Sequence, residues 1–236
     1  MKTVLHKADT RGHANHGWLE SWHTFTFAGY YDSARTNFGV LRVLNDDTVA
    51  PGRGFGKHPH DNMEIISIPL EGALEHEDST GTQQVIKKGD IQVMSAGSGI
   101  QHSEKNKNNN EAVKFLQIWV IPNKTSVAPR YDQKTFTEEE KKNKLVTIVS
   151  PEGSNEGITI YQDAWFSLGN LDKGIELDYT INKTGNGVYA FVLEGDLTIN
   201  EIALNRRDGL GITESTKLSI SANTDAEILL MEVPMR

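Results

Sequence analysis

Short runs of β-branched and aromatic residues, separated by glycine-rich turns, extend through most of this 236-residue chain. Runs of this length and composition are typical of β-strands. Turn signals follow them closely, as at Glu71-Gly72 and Lys88-Gly89. The pattern predicts strands over residues 65–70, 90–94, 115–121, 158–161, 164–168, 188–193, 197–199 and 227–233. The chain is therefore predicted to be all-β.

A charged stretch after Pro122 interrupts the strand pattern. Within it, Thr137 and Glu140 have the spacing of a capping box that opens a short helix. We therefore predict a short helical connector between two β-rich halves. The predicted N-terminal domain covers residues 1–132, and the connector with the C-terminal domain covers residues 133–236.

The two halves resemble each other weakly in sequence. Leu70-Glu71-Gly72 recurs 123 positions later as Leu193-Glu194-Gly195, each time after a β-rich run and before a short polar strand. Many short strands in two similar halves favour two β-barrels or sandwiches in tandem.

Composition and charge narrow the chemistry that the chain can carry. There are 32 acidic and 24 basic residues, and the net charge of −8 disfavours nucleic acid as the main partner. Because there is no cysteine, disulfides, thiolate metal sites and cysteine nucleophiles are excluded. The sequence predicts neither a signal peptide nor a membrane span, so the expected location is the cytoplasm.

Metal binding or acid–base chemistry by histidine is expected in the first half of the chain, because all eight histidines lie at or before position 102. His58 and His60 are two residues apart, so on an extended strand both imidazoles point to one side. His102 and Glu104 repeat this spacing. If the two strands face each other inside a barrel, the four side chains converge as ligands for a divalent first-row metal with open coordination positions. The alternative is a pair of surface histidines and an unrelated His-Glu pair on a loop.

The remaining histidines have simpler interpretations. His13, His16 and His23 lie among aromatic residues, which favours a packed N-terminal segment covering a barrel over a second metal site. His76, between Glu75 and Glu77, is expected to be a solvated strand residue.

These motifs resemble those of a known superfamily. The glycine-led His58-Pro59-His60 followed by Glu64 is similar to the first cupin motif, and Gly89-Asp90 through Gly97 to His102 is similar to the second. The second motif is about two residues longer than usual, and serine replaces its usual proline near position 95. Together with the N-terminal stretch over residues 11–25, these departures resemble the pirin family of bicupins, in particular bacterial pirin-like quercetinases. The resemblance is specific through about residue 132 and looser afterwards.

The pirin resemblance implies two tandem cupin, jelly-roll-like β-barrels, of which the N-terminal one binds metal and the C-terminal one is metal-free. In pirins the ligands correspond to His58, His60, His102 and Glu104. In most other cupins the residue corresponding to Glu64 is a ligand; here Glu64 either orients a histidine or is only a polar strand residue. Iron(II) is the first expectation for the metal, and nickel, manganese, copper, cobalt or zinc also suits such a ligand set.

The same resemblance implies an oxidoreductase that cleaves a flavonol such as quercetin with O2 and releases carbon monoxide. Glu104 is then the candidate base for the flavonol 3-hydroxyl proton. The main alternative is a non-catalytic pirin that binds a protein partner or senses redox state through its metal, although no docking segment marks the sequence. A sugar-phosphate isomerase cupin is less favoured, because no cluster of lysine or arginine accompanies the metal strands.

Overall fold

Strands make up most of the computed structural model, which describes residues 1–235. The first half contains β1 (Lys2–His6), β2 (Gly12–Asn15), β3 (Leu19–His23), β4 (Leu41–Val49), β5 (Gly54–His60), β6 (Glu64–Glu71), β7 (Ala73–Asp78), β8 (Gln83–Lys87), β9 (Asp90–Ser95), β10 (Ile100–Asn106), β11 (Val113–Val120) and β12 (Arg130–Thr135). The second half contains β13 (Val146–Pro151), β14 (Ile158–Ile160), β15 (Trp165–Leu171), β16 (Glu176–Thr180), β17 (Asn186–Glu194), β18 (Leu197–Ile199), β19 (Ile202–Leu204), β20 (Gly209–Thr213), β21 (Lys217–Ala222) and β22 (Ala226–Pro234). The all-β prediction is confirmed, and each predicted strand is present with its ends shifted by at most three residues.

The strands form four sheets, two from each half. The first half gives a four-stranded sheet ordered β5-β10-β7-β8 and a seven-stranded sheet ordered β12-β9-β6-β11-β4-β3-β2. The second gives β16-β21-β18-β19 and β1-β20-β17-β22-β15-β13-β14. Within each half, side chains from both sheets share a hydrophobic cluster. The two seven-stranded sheets share a further cluster that includes Ile66, Leu116, Phe166 and Met231. The expected tandem cupin barrels are thus confirmed, and they pack back to back.

The central strands are buried on both faces, which explains their sequences. In β6 the residues from Glu64 to Pro69 are all buried, and in β17 every residue before Glu194 is buried. One face of β6 packs inside its barrel and the other against the opposite half, as Ile65 and Ile66 show. A strand covered on both sides becomes a continuous apolar run rather than an alternating one.

The weak internal repeat corresponds to a repeated turn. Gly72 follows β6 with a φ of 75°, and Gly195 follows β17 with a φ of 74°. A Cβ atom at Gly72 would lie 2.9 Å from the carbonyl oxygen of Ala112, and one at Gly195 would meet the carbonyl oxygen of Asp225. Because left-handed backbone and close contact coincide, glycine is required at both positions.

The predicted capping box is confirmed at the helix α1 (Glu138–Lys141). The Thr137 hydroxyl accepts a hydrogen bond from the Glu140 backbone N–H, and the Glu140 carboxylate accepts one from the Thr137 N–H at 2.7 Å. A 3-10 turn at Ala8–Thr10 is the second helical segment of the described residues. Neither segment has the length and apolar character that a helix needs to cross a membrane.

Two strands cross the division predicted at residues 132 and 133. Strand β12 contains that boundary and pairs with β9 of the first half. Strand β1 pairs with β20 along its whole length, from Lys2 opposite Thr213 to His6 opposite Gly209, so it completes a sheet of the second half. Local sequence patterns do not show which distant strand a given strand pairs with, so they assign β1 to the half in which it lies along the chain. The exact division stays a prediction.

The interiors of the two barrels differ in polarity. The second barrel is filled by a cluster of buried apolar side chains from both of its sheets. The first buries polar and ionisable groups from both of its sheets, including Asp47, His76, Glu104 and Gln117. The buried Glu232 carboxylate of the second half is satisfied by hydrogen bonds from Tyr179, Asn182 and Asn186. The buried side-chain atoms without a hydrogen-bond partner in residues 1–235 all belong to the first half: His23, Thr24, Asn45, Gln92, His102, Trp119 and Arg130. Because buried polar groups are costly unless they bind something, the first barrel is the place to look for chemistry.

Asp47 gives a test of this polar interior. Its carboxylate accepts a hydrogen bond from Ser21, and burial, assisted by the charges of Asp46 and Glu104, raises its pKa to about 7. A raised pKa means that the folded protein binds the proton more tightly than the unfolded chain does. This contribution to stability is complete below about pH 4 and is lost as the pH rises through 7.

We therefore predict that Asp47→Asn gains stability relative to the wild type by about 2–3 kcal/mol between pH 5 and pH 8. Urea unfolding of both metal-free proteins at the two pH values measures this change. Asp61→Asn, at an exposed position, is the matched control and should show no such gain. An unchanged stability difference between Asp47→Asn and the wild type at the two pH values would contradict the prediction.

Candidate metal centre

The predicted ligands lie on two neighbouring strands of one sheet. Strands β5 and β10 pair antiparallel, with His102 directly opposite His58 and Ile100 opposite His60. The sequence argument had the two strands facing each other across a barrel, whereas they are hydrogen-bonded side by side. A register shift between His102 and Glu104 interrupts the ladder. Adjacent strands bring cross-strand side chains on one face within contact distance, which is what convergence requires.

Three imidazoles converge as predicted. The ring centroids of His58 and His60 are 4.8 Å apart, those of His58 and His102 are 4.5 Å apart, and those of His60 and His102 are 4.9 Å apart. One ring nitrogen from each residue lies within 4.8 Å of the other two. Three nitrogen donors at such distances can bind one metal ion with little rearrangement.

The protonation of these rings also suits a metal. Burial lowers the pKa of His60 to about 4, and it lowers the pKa of His102 to about 2 with help from neighbouring histidines. Both rings are therefore neutral at pH 7 and carry a free lone pair. His58 donates from Nδ1 to the carbonyl oxygen of Gly56 at 2.8 Å, which leaves Nε2 as its lone-pair nitrogen.

A buried atom without a partner supports the same conclusion. Nε2 of His102 is inaccessible to solvent and has no hydrogen-bond partner among residues 1–235. An isolated buried acceptor beside two other imidazoles is an unfavourable arrangement that a bound cation would relieve. The residues present thus fit a divalent metal held by nitrogen donors.

Glu104 lies at the edge of this cluster and is completely enclosed. One carboxylate oxygen accepts from the Ser67 hydroxyl at 3.0 Å, and the other accepts from the Gln117 amide at 2.6 Å. A carboxylate oxygen of Glu104 lies within 4.8 Å of ring nitrogens of His102 and His76, while the three-histidine group does not include it. Burial raises the pKa of Glu104 to about 7. No motif in the sequence marks Ser67 or Gln117 as a partner of Glu104.

Glu64 lies apart from the cluster. Strand β5 ends at His60 and β6 begins at Glu64, and the turn between them has Asn62 in the left-handed region at a φ of 44°. The even spacing of His60 and Glu64 therefore does not place their side chains on the same face of one strand. The Glu64 carboxylate accepts from the Ser95 hydroxyl at 2.7 Å. Its pKa is raised by burial, against the opposing effects of Ser95 and Arg130. Among residues 1–235, no hydrogen bond joins Glu64 to one of the clustered histidines.

His76 is buried, so the expectation of a solvated residue is wrong. It lies on β7, directly opposite Glu104 of β10, and its ring is completely inaccessible to solvent. Together with His102 and Glu104 it forms a second group of possible metal ligands. The alternation of Leu74 and His76 with Glu75 and Glu77 could have indicated an inward-facing position.

The other N-terminal histidines follow the prediction of a packed segment only in part, because His23 is buried whereas His13 and His16 are exposed. His13 stacks on Trp22 with ring centroids 4.2 Å apart, and His23 is buried against Phe27.

A cavity of about 750 Å³ opens beside His60. This volume is within the range of pockets that bind drug-sized molecules. Trp119 forms one wall and packs edge-on against His60, with ring centroids 5.0 Å apart. The lining also includes Pro59, Asp61, Met63, Ser79, Ser98, Gly99, Ile100 and Gln101. A pocket with mixed apolar and polar walls therefore adjoins the imidazole cluster at His60.

Comparisons with known proteins agree with this fold. A family model described as Pirin matches residues 4–120, and one described as Quercetinase C-terminal cupin domain matches residues 147–233. The chain is 41% identical over 230 residues to quercetin 2,3-dioxygenase of Escherichia coli strain K12, and the match covers 98% of both chains. It is 40% identical over 225 residues to a pirin-like protein of Caulobacter vibrioides, covering 95% of this chain and 96% of that one.

Solved structures show the same relationship. The crystal structure of the bacterial pirin YhhW from Escherichia coli in complex with nickel(II) matches with a TM-score of 0.94 and 40% identity over 100% of both chains. A quercetin 2,3-dioxygenase from Acinetobacter baumannii matches with a TM-score of 0.80 at 22% identity over 98% of this chain and 86% of that one, which shows the shared fold. The two barrels, the histidine cluster and these similarities place the chain in the pirin family.

Proposed function

We propose that this protein is a metal-dependent dioxygenase that cleaves a flavonol with O2 and releases carbon monoxide. The observation that carries the proposal is the convergence of three imidazoles beside a cavity of about 750 Å³. Relatives named quercetin 2,3-dioxygenase, similar over nearly their whole length, supply the substrate class.

In this proposal His58, His60 and His102 hold one divalent metal ion, and Glu104 is the fourth ligand. Iron(II) is the first choice, with nickel, manganese, copper, cobalt and zinc as the other candidates for a nitrogen and oxygen ligand set. The nickel(II) complex of the Escherichia coli pirin supports a divalent ion. When bound, such an ion supplies Lewis acidity that favours the deprotonated form of a substrate hydroxyl group.

The cavity walls position the substrate. Trp119, Met63 and Ile100 provide apolar surface for a flat aromatic molecule, while Ser79, Ser98 and Gln101 offer hydrogen bonds to its hydroxyl groups. Because Trp119 packs against His60, a ring system lying on this wall is held next to the imidazole cluster. The deprotonated flavonol is electron-rich, and its reaction with O2 opens the central ring to give a depside and carbon monoxide.

Glu104 is the proposed base for the 3-hydroxyl proton. Hydrogen bonds from Ser67 and Gln117 orient its carboxylate in a site from which water is excluded. Burial raises the pKa of this carboxylate to about 7 in the metal-free protein, so a Glu104 released from the metal could accept a proton near neutral pH. Leaving the metal to accept that proton would make room for the substrate oxygen.

We predict that iron-reconstituted protein consumes many equivalents of O2 with quercetin and forms carbon monoxide. His102→Ala should fall to the level of metal-free protein, because the removed imidazole is the most buried of the three nitrogen donors. An oxygen electrode measures the O2 consumed, and a carbon monoxide assay measures the product released. His16→Ala, at an exposed histidine, is the matched control and should keep wild-type rates.

Absence of oxygen uptake at full iron occupancy would require the same assay with the other candidate metals. Absence with all of them would overturn the dioxygenase proposal. A metal-dependent interaction or redox-sensing role would then become the leading account, since such a role needs no turnover.

The role of Glu104 is tested by Glu104→Gln. We predict a fall in kcat of at least about 100-fold, because a general base typically contributes that much or more. Activity is normalised to metal content measured on the same samples, and Glu77→Gln on the neighbouring strand is the exposed control. Full activity with full metal content in Glu104→Gln would exclude the base role.

A further inference from the structure

A line of three buried side chains leads away from the metal cluster, on the side opposite His58. Asp78 and His76 belong to β7, and His102 belongs to the adjacent β10. The Asp78 and His76 side chains are fully inaccessible to solvent, and His102 is 1% exposed. An Asp78 carboxylate oxygen lies 2.9 Å from Nε2 of His76, and Nδ1 of His76 lies 3.5 Å from Nδ1 of His102.

The turn after β7 fixes the orientation of Asp78. Its Oδ1 accepts from the Thr80 N–H at 2.8 Å, the Thr80 hydroxyl at 2.6 Å and the Thr82 N–H at 3.3 Å. Only Oδ2 is therefore turned toward His76. Tyr131 lies over His76 with ring centroids 4.8 Å apart, which restricts rotation of the imidazole.

This orientation determines the tautomer of each ring in turn. A carboxylate is only an acceptor, so Nε2 of His76 must carry the hydrogen. Full burial favours the neutral ring, whose Nδ1 is then a bare acceptor. The facing Nδ1 of His102 must donate to it, because two bare nitrogens would repel each other. His102 consequently presents Nε2 as a lone pair, and Nε2 is the buried atom without a partner.

We propose that Asp78 and His76 are positioning residues that hold His102 in its Nδ1–H tautomer and so prepare Nε2 to bind the divalent metal. His58 reaches the same state through its hydrogen bond to the Gly56 carbonyl oxygen. Partners behind ligand histidines typically change metal affinity by about 10–100-fold when they are replaced. The inference depends on the metal-binding part of the proposed function and not on the identity of the substrate.

Asp78→Asn tests the proposal with almost no change in shape. The donors of Thr80 and Thr82 require the amide oxygen, so the amide NH2 group faces Nε2 of His76. Nε2 then becomes an acceptor, Nδ1 of His76 becomes a donor, and His102 is driven to carry its hydrogen on Nε2. We expect metal affinity to fall by about 10–100-fold. Competition with a chelator, using nickel(II) or iron(II) alone, measures this change.

Two matched variants separate positioning from general damage. Glu77→Gln replaces the exposed neighbour of Asp78 on the same strand and should bind metal as the wild type does. His76→Leu removes the connecting ring, and in that background Asp78→Asn should cause no further loss of affinity. An equal loss with and without His76 would show that Asp78 does not act through it, which would overturn the proposal.

The tautomers are also measured directly in the metal-free wild type. Imidazole ¹⁵N chemical shifts should show His102 protonated at Nδ1, with Nε2 bare, and Asp78→Asn should reverse this. A wild-type His102 protonated at Nε2 would overturn the proposal even if the variant did not fold. So would unchanged affinity in Asp78→Asn, or a metal bound directly by His76.

Failure of this proposal is distinguishable from failure of the dioxygenase proposal. Wild-type protein that binds metal and shows the expected tautomer, yet consumes no O2 with any flavonol, would contradict only the dioxygenase proposal. Rapid oxygen uptake with unchanged metal affinity in Asp78→Asn would contradict only the positioning role.

Discussion

The antiparallel pairing of β5 with β10 determines which side chains meet in the first barrel. Setting His102 opposite His58 joins two pairs of residues that lie about forty positions apart in the chain. On its other edge β10 pairs with β7, which places His76 and Asp78 behind His102. A slip of one residue in this register would turn His102 to the other face of the sheet and separate the imidazoles. The imidazole cluster, the hydrogen bonds behind it and the adjoining cavity all depend on this alignment.

The rest of the molecule supports that alignment because apolar packing and the polar site use different faces of the first seven-stranded sheet. The two seven-stranded sheets bury their outer faces against each other, which leaves the inner face of the first free to carry polar side chains such as Asp47 and Gln117. The second barrel, filled by apolar side chains, contributes packing and completes its sheet with β1. Buried polar groups weaken a domain unless they are satisfied, so the large shared apolar interface compensates for the polar interior of the first barrel.

Much of the fold was predictable because its signals are local. Strand-length apolar runs, the glycines of the repeated turn and the Thr137–Glu140 capping box each act within a few residues. The pairs His58 with His60 and His102 with Glu104 were recognisable for the same reason. Features that depend on distant neighbours were not predictable: the place of β1 in a sheet of the second half, and the position of His76 beside Glu104 on the neighbouring strand. Ser67 and Gln117 likewise become recognisable only when their strands lie side by side.

The central claim is that one metal ion is bound by His58, His60 and His102. An anomalous-difference map from crystals of the iron- or nickel-loaded protein, recorded at the absorption edge of the metal, tests it most directly. We expect one strong peak about 2.0–2.2 Å from a ring nitrogen of each of the three histidines and from a carboxylate oxygen of Glu104. A peak between His76, His102 and Glu104 and away from His58 and His60, or no peak in the first barrel of metal-loaded crystals, would contradict the account.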